Sequence, residues 1–168
     1  MAAEKTLSVK SLAELGATRL AELLLEIVED DASAKRRLRL ELTSRAGGDK
    51  VAAEIRKRLA TIAKSRSFVE WQKMRAFSQD LDLQRAAIMD YVAPTAPNEA
   101  FELLWRFLEM APALYERCDD SNGTVSGIIA EARDNLGDVA ASASFNPSHW
   151  PAGYSMQSAP TTTASMTD

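Results

Sequence analysis

Cysteine and histidine are almost missing from this chain of 168 residues, which contains one of each, Cys118 and His149. A single cysteine excludes an intramolecular disulfide and leaves a cysteine-based metal site without its other ligands. Because free cysteine is among the most often buried residue types, Cys118 is predicted to be a small core residue. His149 lies in Pro-rich and Ser-rich sequence, so neither a His-dependent catalytic triad nor a zinc centre is expected.

Long apolar runs are missing too. The longest uninterrupted ones contain three or four residues, whereas a membrane-spanning helix needs about 20. Residues 1–10 alternate charged with single apolar residues, which is the pattern of neither a signal peptide nor a membrane anchor. The sequence therefore predicts a soluble, cytoplasmic protein.

Glycine (seven) and proline (six) are few, and apolar residues recur at helical rather than alternating spacing. The pattern predicts seven or eight helices and no strands. The predicted fold is all-α, with stacked helical hairpins that form a short α-solenoid or an irregular bundle. Residues 11–143 are the predicted helical domain. Residues 1–10 are predicted to be flexible, and the Ser/Thr/Pro-rich residues 144–168 to be a disordered tail.

The first half of the chain predicts four helices with recognisable ends. A capping box at residues 11–14 begins the first, and Gly16 separates it from a main helix over 17–29. The acids at 29–31 cap a helix over 33–45, in which Leu40 faces away from Leu42; such a helix lies between two neighbours or presents one side to a partner. Asp49 caps a helix over 50–64. Two faces are predicted to be buried: Leu20, Leu23, Leu24, Ile27 and Val28 in the main helix, and Val51, Ile55, Leu59 and Ile62 in the fourth.

The second half predicts a second capping box, at residues 67–70, which begins a helix with inward-facing Phe68, Trp71, Met74 and Phe77. A separate helix covers about 81–91. Pro97 begins the most apolar helix, which is predicted to be central, and Pro112 is predicted to kink or divide that helix. The last predicted helix covers 124–136.

The most informative feature is a basic middle. Residues 35–75 contain thirteen cations and four acids, a net charge of +9 in a chain whose total is −4. One interpretation is a binding surface for nucleic-acid phosphates or another polyanion; the other is a solvated surface paired with the acidic flanks. The candidate contacts are a cluster, Lys35, Arg36, Arg37 and Arg39, and a stripe that recurs every seven residues, Lys50, Lys57 and Lys64.

Two further features have a functional and a structural interpretation. Phe68 and Trp71 are able to stack on bases if exposed, but their helical spacing with Met74 favours the core.

Asp119 and Asp120 begin a loop that ends at Gly123. Aligned as a calcium-binding loop, it has Cys118 and Ile129 where carboxylates are required, so that motif is rejected. A turn that caps the next helix accounts for the same residues, and a ligand-contacting loop is the alternative.

Four pieces of the chain together resemble a known family: 12–16 through 23–25, 34–40, 56–63 leading to 67–73, and 103–108 through 116–121. The family comprises longer, helical bacterial proteins and is known only as a domain of unknown function. The resemblance covers about residues 11–140 of this chain. It implies an all-helical, repeat-like fold and supplies no activity, cofactor or catalytic residue. Family members continue with further helices where this chain has its tail, which suggests a truncated or frame-shifted copy after about residue 143.

These observations predict a cytoplasmic helical scaffold that binds another protein, and the alternative is a nucleic-acid or other polyanion-binding module. The sequence contains no phosphate-binding Gly-rich loop, nucleophile elbow or two-histidine helix. We therefore expect no enzymatic activity, no cofactor and no metal. A homo-oligomer formed through an exposed C-terminal helix is a further alternative, and no membrane partner is expected.

Overall fold

The computed structural model describes residues 6–142, which form eight α-helices and one π-helical segment. In chain order these are α1 (Val9–Ala13), α2 (Ala17–Ile27), α3 (Ala32–Ser44), α4 (Gly48–Lys64), α5 (Trp71–Ala87), the π-helical segment (Ile88–Val92), α6 (Pro97–Glu109), α7 (Ala111–Tyr115) and α8 (Thr124–Ser142). No strand occurs in this part of the chain, where Val69 and Cys118 form an isolated parallel bridge. The predicted all-α fold is confirmed.

The predictions for the two ends of the chain fall largely on residues 1–5 and 143–168, which lie outside the described residues. Val9 and Lys10, within the predicted flexible segment, belong to α1. None of the described helices is long and apolar enough to cross a membrane. By their contacts the residues group into two compact units, Met1–Arg39 and Leu40–Asp168.

In the first unit, α1 begins earlier than predicted. Its N-cap is Ser8, whose hydroxyl accepts from the Ser11 amide at 3.2 Å, while the Ser11 hydroxyl accepts from the Ser8 amide at 3.0 Å. Ser11 is therefore the third residue of the helix and not its cap. The division at Gly16 is confirmed, with φ 79° at that glycine. The acidic cap of α3 is confirmed as well, because the Asp31 carboxylate accepts from the Ser33 and Ala34 amides at 2.8 and 2.9 Å.

The predicted buried stripe of α2 is wrong in part. Val28 is buried, and Leu20 and Leu23 are half-buried, but Leu24 is exposed and Ile27 is 75% exposed. Within its own unit, α2 has the five-residue α1 as its main neighbour. So short a helix covers only part of an apolar stripe three turns long.

The second unit contains the whole main core cluster, from Leu40 to Val139. Helix α6 is central, as predicted, since it packs against α8, α4 and the π-helical segment. The apolar face of α4 is confirmed, with Val51, Ile55, Leu59 and Ile62 all buried. In α3, Leu40 joins this core while Leu42 is exposed, so the helix does have apolar residues on two sides.

Several helix ends differ from the predictions. Helix α4 starts at Gly48, and its N-cap is Gly47, which has a positive φ of 110°. Asp49 is therefore not the cap but lies in the first turn, where its negative charge interacts favourably with the helix dipole. Pro97 at the start of α6 is confirmed, and of the two outcomes predicted for Pro112 the structure has the division, since α6 ends at Glu109 and Pro112 lies in the first turn of α7. Helix α8 continues six residues beyond the predicted end, to Ser142.

Helix α5 is one helix and not two. Residues 78–80, which precede the predicted start of the second helix at 81, are inside α5, and Ser78 and Asp80 are buried. Asp80 accepts from Arg58 of α4 at 2.8 and 2.5 Å, and its other oxygen is 3.4 Å from the Gln84 amide nitrogen. A buried carboxylate paired in this way does not interrupt a helix.

Candidate interaction surface

The segment that joins α4 to α5 is not helical: it is extended at both ends and bends at Ser67. Glu70, the residue before α5, has φ −60° and ψ 149°, and Ser65, after α4, has ψ 134°. Val69 is buried in the core cluster, and its amide donates to the Arg117 carbonyl at 2.7 Å. In an extended segment the residues on either side of an inward-facing one face outward. Phe68 and Glu70 are accordingly exposed.

Arg117 fixes this segment from the other side. Its guanidinium donates to the Ser67 carbonyl at 3.1 Å, to the Ile62 carbonyl at 3.0 Å and to the Ser65 hydroxyl at 2.9 Å. The Ile62 carbonyl lies in the last turn of α4 and also accepts from the Ser65 amide at 3.2 Å, so Arg117 is its second donor. One side chain therefore joins the end of α4 to the connection that leads to α5. The sequence did not suggest this role, because Arg117 is separated from these partners by about fifty residues.

Phe68 and Trp71 are exposed, which makes their predicted place in the core wrong. Trp71 is 77% exposed and Phe68 is 57% exposed, whereas Met74 and Phe77 pack against the core as predicted. The predicted capping box at 67–70 does not form, and α5 begins at Trp71. Phe68 therefore precedes the helix, and helical spacing does not apply to it.

Four cations flank the two rings. Lys64 and Arg66 precede Phe68, while Lys73 and Arg75 follow Trp71, and all four are exposed. Among the described residues, none of the four has an ion pair. Glu70 is the only acid between residues 64 and 75. We call these six residues, Lys64, Arg66, Phe68, Trp71, Lys73 and Arg75, the basic–aromatic corner.

The other cations of the basic middle divide into paired and exposed groups. Arg56 pairs with Glu99 and Arg58 pairs with Asp80, which ties α4 to α6 and α5. Lys50, Lys57 and Lys64 are exposed on one face of α4, as predicted, although Glu54 lies on that face too. The predicted cluster at 35–39 belongs to the first unit: Lys35 donates to the Glu29 carbonyl, Arg36 has a partner, and Arg37 and Arg39 are exposed.

The Asp119–Asp120 loop caps α8. The Asp120 carboxylate accepts from the amides of Val125 and Ser126 at 2.7 and 2.8 Å, and Asp119 accepts from the Ser121 amide at 3.1 Å. Burial alone raises the pKa of the Asp120 carboxyl, but the amide hydrogen bonds outweigh it and lower the pKa below its usual value. The structural interpretation of this loop therefore accounts for its hydrogen bonds.

Cys118 is buried, as predicted, and its thiol donates to the Leu114 carbonyl at 3.1 Å. Burial, followed by the charge of Asp120, raises the pKa of this thiol above its usual value. A raised pKa disfavours the reactive thiolate. The residue contributes to packing beside Val69 rather than to chemistry.

An open groove of about 400 Å³ lies between α5 and the start of α8. Its acids, Asp82 and Glu131, both pair with Arg85. The first amides of α8 are already occupied by Asn122 and Asp120. No group of three potential metal ligands occurs among residues 6–142. The groove therefore offers fewer unpaired groups to a partner than the basic–aromatic corner does.

A comparison with protein families identifies the chain. A family model described as "Family of unknown function (DUF6880)" matches residues 2–154. The chain belongs to the DUF6880 family. The basic–aromatic corner and Arg117 lie within the matched part of this DUF6880 domain, and the match extends past the position at which the sequence suggested a departure. In comparisons with curated proteins and with solved structures, nothing matched this chain.

Proposed function

We propose that this DUF6880 domain is a protein-interaction module that binds its partner at the basic–aromatic corner. The observation that carries the proposal is the exposure of Trp71 and Phe68, 77% and 57%, on a segment whose neighbour Val69 is buried. The proposal assigns a binding role and no catalytic residue, and it takes the bacterial cytoplasm as the setting.

The energetic argument rests on what exposed aromatic rings contribute when they are covered. Phe and Trp side chains each bury about 150–250 Å², and burial of apolar surface stabilises by roughly 25 cal/mol per Å². Tryptophan is enriched among the residues that dominate interface energies. Leaving two such rings in water has no benefit for folding, whereas a partner that covers them gains from both.

The corner is also organised before any partner arrives. The Val69–Arg117 backbone bond and the three hydrogen bonds of the Arg117 guanidinium fix the segment between Ile62 and Val69. A partner that binds a fixed segment loses less conformational entropy than one that must order a loop. This supports a docking role for Phe68 in particular.

The second candidate is a polyanion-binding module. It is favoured by Lys50, Lys57 and Lys64, which are exposed on one face of α4 and have no ion pair with a described residue. Such a stripe attracts phosphates through counterion release. Glu54 on the same face and the net charge of −4 weaken that attraction.

Site-specific photo-crosslinking tests the proposal. A benzophenone amino acid replaces Phe68 in the full chain, in the cell that produces it, and the matched control carries the same group at the exposed Asp138 of α8. We expect a protein adduct from position 68 that is missing from position 138 and is lost when Trp71→Ala is added. Adducts only to nucleic acid favour the second candidate. Equal adducts from both positions, or none, contradict the proposal.

A further inference from the structure

We propose that the partner at the basic–aromatic corner is an acidic protein segment that carries apolar or aromatic anchor residues. The inference rests on the proposed interaction role and names the chemistry of its partner. It depends on three features of the corner: the charge of its rim, the position of its rings and the small number of its cations.

The rim is positive and unpaired. Lys64, Arg66, Lys73 and Arg75 are exposed and have no ion pair among the described residues. Elsewhere in the second unit Arg56, Arg58 and Arg85 pair with acids, while Lys50 and Lys57 have no ion pair with a described residue although Glu54 lies on their face of α4. Complementary charge raises association rates and suppresses wrong partners. A partner that presents carboxylates to these four side chains supplies that complement.

The rings lie between the cations along the chain, since Lys64 and Arg66 come before Phe68 and Lys73 and Arg75 come after Trp71. On α5, Arg75 follows Trp71 by one turn and lies on the same face, and protein interfaces likewise combine apolar anchors with polar groups beside them. A purely acidic partner leaves both rings uncovered, and a purely apolar one leaves the cations without counter-charges. The fit is to a segment that has both kinds of residue.

A nucleic acid fits the corner less well. Affinity for a nucleic acid rises with the number of phosphates that a protein neutralises, and the corner offers four cations with Glu70 among them. The α4 stripe continues from Lys64 to Lys57 and Lys50, but Glu54 interrupts it. A long polyanion that follows the stripe is repelled by the Glu54 carboxylate, whereas a short acidic segment contacts the corner alone.

Selection from a randomised peptide library displayed on phage tests the inference, with the immobilised full chain as bait. We expect enriched peptides that combine Asp or Glu with Leu, Phe or Trp. In fluorescence anisotropy, Trp71→Ala is expected to weaken binding of the best enriched peptide roughly thirtyfold. Arg66→Glu combined with Arg75→Glu is expected to weaken it at least about tenfold and to remove its salt dependence.

The matched control is Lys50→Glu, a charge reversal at an exposed position of α4 outside the corner, which is expected to change the affinity less than about twofold. Far-UV circular dichroism of every variant checks that the helices are intact. The inference is overturned if no peptide is enriched, if the enriched peptides lack an acidic excess, if charge reversal at the corner has no more effect than Lys50→Glu, or if a single-stranded oligothymidylate binds more tightly than they do.

The crosslinking experiment and the peptide selection test the two proposals separately, so that one proposal can be contradicted while the other is retained. A protein adduct at position 68 together with peptides that show no acidic preference retains the interaction module and removes its acidic partner. Enrichment of acidic peptides that bind independently of Trp71 removes the corner as the site. Absence of adducts and of enriched peptides removes both proposals.

Discussion

Gly48 makes the closest backbone approach of any glycine in the described chain. A Cβ at this position lies 2.6 Å from the Thr95 hydroxyl and 2.8 Å from the Tyr91 carbonyl oxygen. The absence of a side chain therefore lets the start of α4 contact the end of the π-helical segment. Because the carbonyl belongs to the backbone, it cannot rotate away as a flexible side chain does.

We predict that Gly48→Ala destabilises the second unit by about 1–3 kcal/mol, the usual range for an inserted group that forces a backbone shift. The matched control is Gly137→Ala in α8, where a Cβ meets nothing within 4 Å. That change should stabilise by up to about 1 kcal/mol, because glycine inside a helix is unfavourable. Urea unfolding of both variants checks the pair. Two changes of the same sign contradict the proposed role of Gly48.

Individual residues were predictable where their surroundings are made by their own helix. The face of α4 follows from spacing alone, since Val51, Ile55, Leu59 and Ile62 repeat at helical intervals and are all buried. Asp80 and Trp71 were not predictable in this way. Asp80 is buried because Arg58 reaches it from another helix, and Trp71 is exposed because the chain before it is held in an extended conformation. Both outcomes depend on partners distant in sequence.

At the scale of the element, one carboxylate accepts from two of the first three amides of α8. Asp120 is three residues before the N-cap position of this helix, yet it accepts from the second and third amides, those of Val125 and Ser126. Its pKa is lowered in the folded protein. The stabilisation is therefore fully present above the unfolded pKa, near 3.9, and is lost as the pH falls through the lowered folded value.

We predict that Asp120→Ala destabilises by about 1 kcal/mol at neutral pH, and that this difference from the native chain shrinks below about pH 4. Asp119→Ala is the control, since Asp119 accepts from the Ser121 amide and from no amide of α8. Its cost should be smaller. Chemical unfolding at a series of pH values measures both differences. A cost for Asp120→Ala that is constant from pH 7 to strongly acidic pH rules out this account of the cap.

The number and order of helices were more predictable than their ends. Pro97, Pro112 and Gly16 act within one or two residues, so the elements they delimit appear where the sequence places them. The two predicted capping boxes at 11–14 and 67–70 failed because a serine followed by Glu at the third position is common, and other contacts decide which one is used. Ser8 has its own reciprocal partner in Ser11. In the segment at 67–70, the Ser67 carbonyl instead accepts from Arg117, and Val69 forms the bridge with Cys118.

For the whole molecule, charge and apolar residues are distributed unequally along the chain. The basic middle was visible in the composition, but its division into structural and free cations was not. Arg56 and Arg58 form ion pairs with Glu99 and Asp80 of other helices. Lys64 and Arg66, at the α4–α5 connection, have no ion pair with an acid among the described residues. The candidate site therefore emerges only when the helices are packed.

The buried apolar residues are also distributed unequally along the chain, since every residue of the main core cluster, from Leu40 onward, belongs to the second unit. We predict that a fragment of residues 32–168, which keeps all of α3 and hence Leu40, unfolds cooperatively in urea. A cluster that is complete within the fragment retains the apolar burial on which cooperative unfolding depends. Leu40→Ala in the fragment should then cost about 2–5 kcal/mol, as for other buried leucines. A fragment that unfolds without a transition shows that the first 31 residues, which include the Asp31 cap of α3, stabilise this core. A fragment that tolerates Leu40→Ala contradicts the role assigned to Leu40.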